Sequence, residues 1–141
     1  MEGVTRPIEE RLGDPGKVLL VLGASKAGNL QMEKDVFDTY LFLLREDKVL
    51  NLSYFFRFQP LPVSDLLRDD VYNLTQAGFI QSFSPMSITP HGLTWLRQSL
   101  SAKEEEESFS KLAGPLGGYC GLSRNELSRV VYARLAKPIP R

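Results

Sequence analysis

Apolar and polar positions between residues 60 and 92 predict a helix, a short hairpin and the start of a second helix. The apolar stripe of the first helix is Val63, Leu67, Val71 and Leu74. Ser64 is a suitable N-cap for this helix, and Gly78 stands where a left-handed residue often ends one. This order of elements is the core of a winged-helix domain.

The hairpin is predicted from residues 79–83 and 86–88, which flank a turn at Ser84-Pro85. Thr89 then precedes Pro90, and proline is favoured in the first turn of a helix because its missing N–H costs nothing there. The apolar stripe of that second helix is Leu93, Leu96 and Leu100.

Further helices and a strand are predicted ahead of this block. Residues 17–22 are apolar and fit either a strand or a short buried helix, of which the helix is favoured. Asn29 is a candidate cap for a helix that runs to about Asp47 and whose C-terminal half is apolar on nearly all sides. Residues 51–59 alternate as a strand, with one apolar face formed by Leu52, Tyr54, Phe56 and Phe58.

The C-terminal part is predicted to hold a solvated acidic segment, a break and a last helix. Residues 103–107 (KEEEE) fit a solvated helix face or linker, with an acidic metal or partner site as the alternative. Four glycines and one proline at 114–121 predict a flexible break. Ser123 and Glu126 match a capping box, so a helix starts there with the stripe Leu127, Val130, Val131 and Leu135.

Together these elements predict one mainly α domain with a small β-hairpin, a winged-helix-like fold with extra C-terminal helices. We expect a loose N-terminal segment at 1–16 and a winged-helix-like core at 17–103. Helices at 104–136 would pack on that core, and 137–141 would form a tail. The stripe of the last helix is expected to be buried against the helix at 30–44.

Composition favours an ordinary globular protein. Among 141 residues, 17 basic and 17 acidic side chains cancel, so no global attraction to nucleic acid or membrane is expected. The single cysteine, Cys120, excludes an internal disulfide and fits a reducing compartment. The aliphatic run at 18–22 is too short to span a bilayer, and the first residues lack the pattern of a signal peptide. We therefore expect a cytoplasmic protein with no membrane partner.

Catalytic and cofactor motifs do not stand out in the sequence. His91 and Cys120 are the one histidine and the one cysteine, too few for a typical structural zinc site and without a reason to form a dyad. The glycines at 114–121 match no phosphate loop. Asp69 and Asp70 diverge by about 100° on a helix. We expect no catalytic residue, metal or cofactor, and no enzyme activity.

The helix after Ser64 is the candidate interaction surface. Its exposed positions include Asp65, Arg68, Asp69, Tyr72 and Asn73, and Phe55 and Arg57 of the predicted strand are expected nearby. Counting Asp70, this helix carries three acids and one base, and the hairpin carries no lysine or arginine. Since phosphate contacts supply much of DNA affinity, this surface disfavours DNA. The alternative phosphate contacts lie near the C-terminus: Arg124, Arg129, Arg134 and Lys137.

Four stretches resemble, in order, motifs of the YwgA-like and Panacea-type (SocA-like) winged-helix proteins of bacteria and phages. These stretches are 30–44 (LQMEKDVFDTYLFLL), 61–80, 88–92 (ITPHG) and 122–135. The Panacea branch resembles antitoxins that neutralise toxins by binding them. The resemblance implies a non-enzymatic module that binds another protein, as an antitoxin or regulatory subunit. The alternative is a DNA-binding transcriptional regulator, which would act as a homodimer on two half-sites.

Overall fold

The computed structural model describes residues 11–83 and 85–136. This part of the chain is mainly helical, with two small antiparallel sheets of two strands each. The expectations for residues 1–10, for Ser84 in the hairpin turn and for the tail at 137–141 lie outside the described residues. In the part that is described, no helix is long and apolar enough to cross a membrane.

Helix α1, Asp14–Ala27, lies in the middle of the core. Its residues 18–22 are each 2% exposed or less, which confirms a helix there. The helix starts earlier than predicted because Pro15 occupies its first turn, where no N–H is needed. Leu12 is also buried, so a loose segment reaching to residue 16 is wrong.

The segment after α1 is extended rather than helical. Asn29 has a φ of 55° and caps no helix, contrary to the prediction. Met32 forms an isolated antiparallel bridge with Met86 and is fully buried. A 3-10 turn, Lys34–Val36, leads into helix α2, Phe37–Glu46. Tertiary pairing of Met32 therefore overrides the helical pattern of residues 29–33.

Only the end of the predicted strand at 51–59 is a strand. Strand β1, Arg57–Phe58, pairs with β2, Pro62–Val63. Leu52, Tyr54 and Phe56 are buried as the alternation predicts, but Phe58 is 40% exposed. In the segment before β1, a side chain takes the place of a neighbouring strand as hydrogen-bond partner. The Arg45 guanidinium donates to the Tyr54 carbonyl at 2.8 Å and lies over the Phe56 ring.

The next block follows the sequence prediction closely. It comprises helix α3, Asp65–Gln76, strands β3, Ile80–Gln81, and β4, Ser87–Ile88, and helix α4, Pro90–Ser99. The Ser64 hydroxyl accepts from the Leu67 N–H at 3.2 Å, and Gly78 is left-handed with a φ of 79°. The strands are shorter than predicted, with two paired residues each.

Helix α5, Ala102–Cys120, runs through the predicted flexible break without interruption, so that prediction is wrong. Ser101 and Glu104 form a capping box at its start. Leu112, Leu116 and Tyr119 follow helical spacing and are buried, so packing against the core, including α1, outweighs the weak helix propensity of the glycines. Residues 103–107 lie in the first turns, with Glu104 paired to Arg11 and Glu105 paired to Arg97.

Helix α6, Arg124–Leu135, starts at the predicted capping box and packs against α2. Leu127 and Val131 are 1% and 0% exposed and belong to the same core cluster as α1 and α2. Leu135 is 47% exposed, so its predicted burial is wrong. Leu135 is the last residue of α6.

Candidate functional site

One face of α3 is open to solvent along its whole length. Asp65, Arg68, Asp69, Tyr72 and Asn73 recur at helical spacing, and all five are exposed. The Tyr72 ring is 63% exposed, which is high for a large aromatic side chain. The opposite side of the helix is anchored in the core. We call these five residues the α3 face.

An ion pair joins β1 to the start of the α3 face. The Arg57 guanidinium lies 3.0 Å from the Asp65 carboxylate, and this hydrogen bond lowers the pKa of Asp65. Phe55 is 76% exposed, while Tyr54 and Phe56 on either side of it are buried. The structure therefore brings Arg57 to the α3 face, as predicted. Phe55 is exposed, and its predicted place next to the α3 face stays a prediction.

A groove with a volume of about 750 Å³ lies beside the α3 face. We call it the α3 groove. Its lining residues come from five parts of the chain: the segment before and at the start of α2, strand β2, helix α3, the connection between β3 and β4, and the start of α6. They are Lys34, Asp35, Phe37, Asp38, Val63, Arg68, Val71, Tyr72, Thr75, Gln76, Ser82, Met86 and Arg124. Arg68 and Tyr72 thus belong both to the face and to the groove.

Asp38 has a structural role at the edge of this groove. Its carboxylate accepts a hydrogen bond from the buried Ser64 N–H at 2.9 Å. Burial raises the pKa of Asp38, and the Ser64 hydrogen bond and the positive charge of Arg68 only partly oppose that effect. Asp38 therefore links α2 to the start of α3. Its ionised carboxylate loses part of its hydration there, which lowers the stability of the fold.

Two arginines of the groove keep their hydrogen-bonding capacity. Within the described residues, the guanidinium groups of Arg68 and Arg124 make no hydrogen bond or ion pair, although the charge of Arg68 acts from a distance to lower the pKa of Asp38 and Asp65. An arginine guanidinium carries five N–H donors in a planar fork that suits carboxylates. Both groups are therefore available to a ligand in the groove.

The three predicted C-terminal basic residues that the structure describes lie in different settings. Arg124 lines the α3 groove, and Arg129 is exposed on α6. The Arg134 guanidinium instead lies 2.6 Å from the Asp47 carboxylate, and Lys137 lies outside the described residues. Sequence reasoning missed that Arg124 and α3 share a groove, because no local pattern links positions that are 48 or more residues apart.

The side chains considered for catalysis lie in structural settings. The His91 ring packs 4.9 Å from the Phe79 ring, centroid to centroid. The Cys120 sulfur lies 3.5 Å from the Met32 sulfur, and burial raises the pKa of this thiol to about 11. A thiol of that kind is a poor nucleophile at neutral pH. In residues 11–83 and 85–136, no three His, Cys, Asp or Glu side chains are placed to hold a metal ion.

Comparison of the chain with models of protein families, with curated proteins and with solved structures finds no match.

Proposed function

We propose that the chain is a non-enzymatic winged-helix interaction module that binds another protein, as an antitoxin-like or regulatory subunit. The observation that carries this proposal is the α3 face, where an exposed tyrosine and an unpaired arginine stand among acidic and amide side chains. Tyrosine and arginine are enriched among the residues that dominate protein interfaces. The adjoining groove adds a concave surface where a partner side chain can be desolvated.

The order of elements supports the winged-helix part of the proposal. Helices α1, α2 and α3 are followed by the β3–β4 hairpin. The Met32–Met86 bridge pairs a third backbone segment with the residue just before β4. In the proposed winged helix, α3 would be the recognition helix and the β3–β4 hairpin would be the wing. This arrangement also agrees with the family resemblance of the sequence.

Charge favours a protein partner over DNA on this surface. Asp65, Asp69 and Asp70 outnumber Arg68 on α3, and the hairpin at 79–89 contributes no lysine or arginine. Arg57 is engaged with Asp65. A phosphate backbone approaching α3 would meet more negative than positive charge, which opposes the electrostatic term that dominates DNA affinity.

The experiment is affinity purification of the tagged chain from its native host, followed by size-exclusion chromatography. We expect a protein that co-elutes in a fixed ratio with the wild-type chain. Asp69→Arg and Asn73→Ala should release it, because both residues are exposed on the α3 face and are not needed for folding. Lys111→Glu, an exposed change on α5, is the control. A partner retained equally by all variants, or no partner after repeated purification, contradicts the proposal.

The alternative function, DNA binding, draws on the exposed residues Arg124 and Arg129 of α6. It requires a homodimer whose two copies contact successive half-sites. Titration of duplex DNA at low and moderate salt tests it, since phosphate contacts give affinity a steep salt dependence. Absence of binding at low salt excludes this alternative. The single cysteine, Cys120, suits either function in the reducing cytoplasm, where we place the protein.

A further inference from the structure

We propose that the α3 groove binds a segment of the partner protein in which carboxylate side chains stand next to large apolar ones. This inference rests on the proposed function and specifies the chemistry of the partner. It concerns the α3 groove, which shares Arg68 and Tyr72 with the α3 face, and the proposed function is tested at Asp69 and Asn73, which do not line the groove.

The floor of the α3 groove is apolar and accounts for the apolar half of the segment. Phe37 and Met86 line the groove but are almost fully buried, while Val63 and Val71 are half-buried there and keep apolar surface exposed. An apolar side chain laid against Val63 and Val71 would remove their exposed surface and its own from water, which is favourable at about 25 cal/mol per Å² of apolar area.

The charged side chains at the rim of the groove are the proposed binding groups for the carboxylates of the partner segment. Three cations, Lys34, Arg68 and Arg124, line the groove against two acids, Asp35 and Asp38. The Asp38 carboxylate is already committed to the Ser64 N–H at 2.9 Å, and burial disfavours its charged form. Arg68 and Arg124 therefore give the rim two guanidinium groups that make no hydrogen bond or ion pair within the described residues, and these groups can bind carboxylates.

The same groove is a poor site for nucleic acid. Asp65 and Asp69 lie on the adjoining α3 face and would repel the phosphates that flank any bound nucleotide. A peptide can place isolated carboxylates at Arg68 and Arg124 and keep apolar or basic residues elsewhere. Charge complementarity thus favours an acidic, apolar protein segment over a polyanion.

The test begins with selection of short random peptides displayed on phage against the purified full chain. Selected peptides are then synthesised with a fluorescent label, and their affinity is measured by fluorescence anisotropy. We expect enrichment of Asp or Glu beside Leu, Phe or Trp. Replacing the acidic residues of a selected peptide by Gln or Asn should weaken its binding, and raising the salt concentration should do the same.

Two nearly isosteric variants of the chain give effects of opposite sign. Asp35→Asn removes a negative charge from the rim and should raise the affinity for the acidic peptide by about two- to fivefold. Gln76→Glu adds a negative charge and should weaken it by a similar factor. Both positions are exposed, so neither change threatens folding.

Combining Arg68→Glu with Arg124→Glu should weaken binding by about tenfold or more. Lys111→Glu on α5 should leave it unchanged.

Several results would overturn the inference. Selected peptides that are neutral or basic, failure to select any peptide, or acidic peptides indifferent to Asp35→Asn and Gln76→Glu would each do so. So would binding of a single-stranded oligonucleotide that the arginine changes abolish while no peptide binds. None of the peptide results alone removes the proposed function, because release of the native partner by Asp69→Arg is measured independently of the groove.

Discussion

The Arg134 guanidinium donates to the Asp47 carboxylate, with 2.6 Å between Nε and Oδ1, and so joins the end of α6 to the end of α2. The Tyr119 hydroxyl donates to the same carboxylate from the end of α5. The ends of α2, α5 and α6 therefore meet at the Asp47 side chain. This arrangement gives Arg134 a structural role that its place in a basic segment does not suggest.

Removal of the shared carboxylate should loosen all three helix ends. We expect Asp47→Ala to lower the free energy of unfolding by about 1–3 kcal/mol, because Arg134 and Tyr119 both lose their acceptor. Urea unfolding of the variant measures this loss. Arg129→Ala, an exposed change on α6, is the control and should stay within about 0.5 kcal/mol of the parent. Equal midpoints for the parent and Asp47→Ala would show that the carboxylate is dispensable.

The burial of α6 can be tested with one buried and one exposed position of the same predicted stripe. Val131→Asp puts a charge at a site that is 0% exposed and should cost at least about 3 kcal/mol or unfold the protein. Leu135→Asp, at 47% exposure, should cost less than about 1 kcal/mol. Thermal melts followed by circular dichroism compare the two. Equal melting temperatures for Val131→Asp and the parent would mean that α6 is detached in solution.

Two glycines should respond to alanine in opposite directions. A Cβ on Gly92 would lie 2.1 Å from the Phe79 carbonyl oxygen, so α4 would have to move away from the hairpin. We expect Gly92→Ala to cost about 3 kcal/mol or more. A Cβ on Gly118 has nothing within 4 Å, and this residue lies in α5.

Gly118→Ala should therefore stabilise the chain by about 0.5–1 kcal/mol through helix propensity. Chemical denaturation of both variants measures the difference. Destabilisation by Gly118→Ala would indicate that this part of α5 is not helical in solution.

Asp38 should give a distinctive dependence of stability on pH. Because burial raises its pKa above the usual 3.8, its protonated form favours the folded state. This contribution is fully present below pH 3.8 and is lost as the pH rises through the higher folded pKa. Asp38→Asn keeps an acceptor for the Ser64 N–H and cannot ionise. We therefore expect the variant to gain stability relative to the parent as the pH rises from 3 to about 7.

The matched variant Asp38→Ala removes the acceptor as well. At about pH 7 it should be less stable than Asp38→Asn by about 1–2 kcal/mol, since the buried Ser64 N–H is left unsatisfied. Melting temperatures of the three proteins across this pH range provide the measurement. A constant difference between the parent and Asp38→Asn at all pH values would show that the Asp38 pKa is not raised.

Elements with strong local signals were predictable from the sequence. The start of α3 has its Ser64 cap, α4 has Thr89 before Pro90, and α6 has the capping box of Ser123 and Glu126. Each of these signals satisfies helix N–H groups within a few residues, so the information is local. The exposed positions of α3 follow from the same helical periodicity.

Elements decided by distant contacts were not predictable. The glycines at 114–121 predict a break, yet Leu112 and Leu116 hold α5 in the core as a continuous helix. Met32 belongs to a helical pattern but pairs with Met86. The same limit applies to the site: Arg68 and Arg124 line one groove although nothing in either local sequence connects them.

The central claim, that α3 presents a protein-binding surface, is tested most directly by photo-cross-linking from position 72 in the native host. A benzophenone-bearing phenylalanine analogue would replace the exposed Tyr72, with the same analogue at position 111 as the control. We expect a discrete protein adduct from position 72 that resists nuclease and is absent from position 111. An adduct that nuclease removes, or no adduct from position 72, would contradict it.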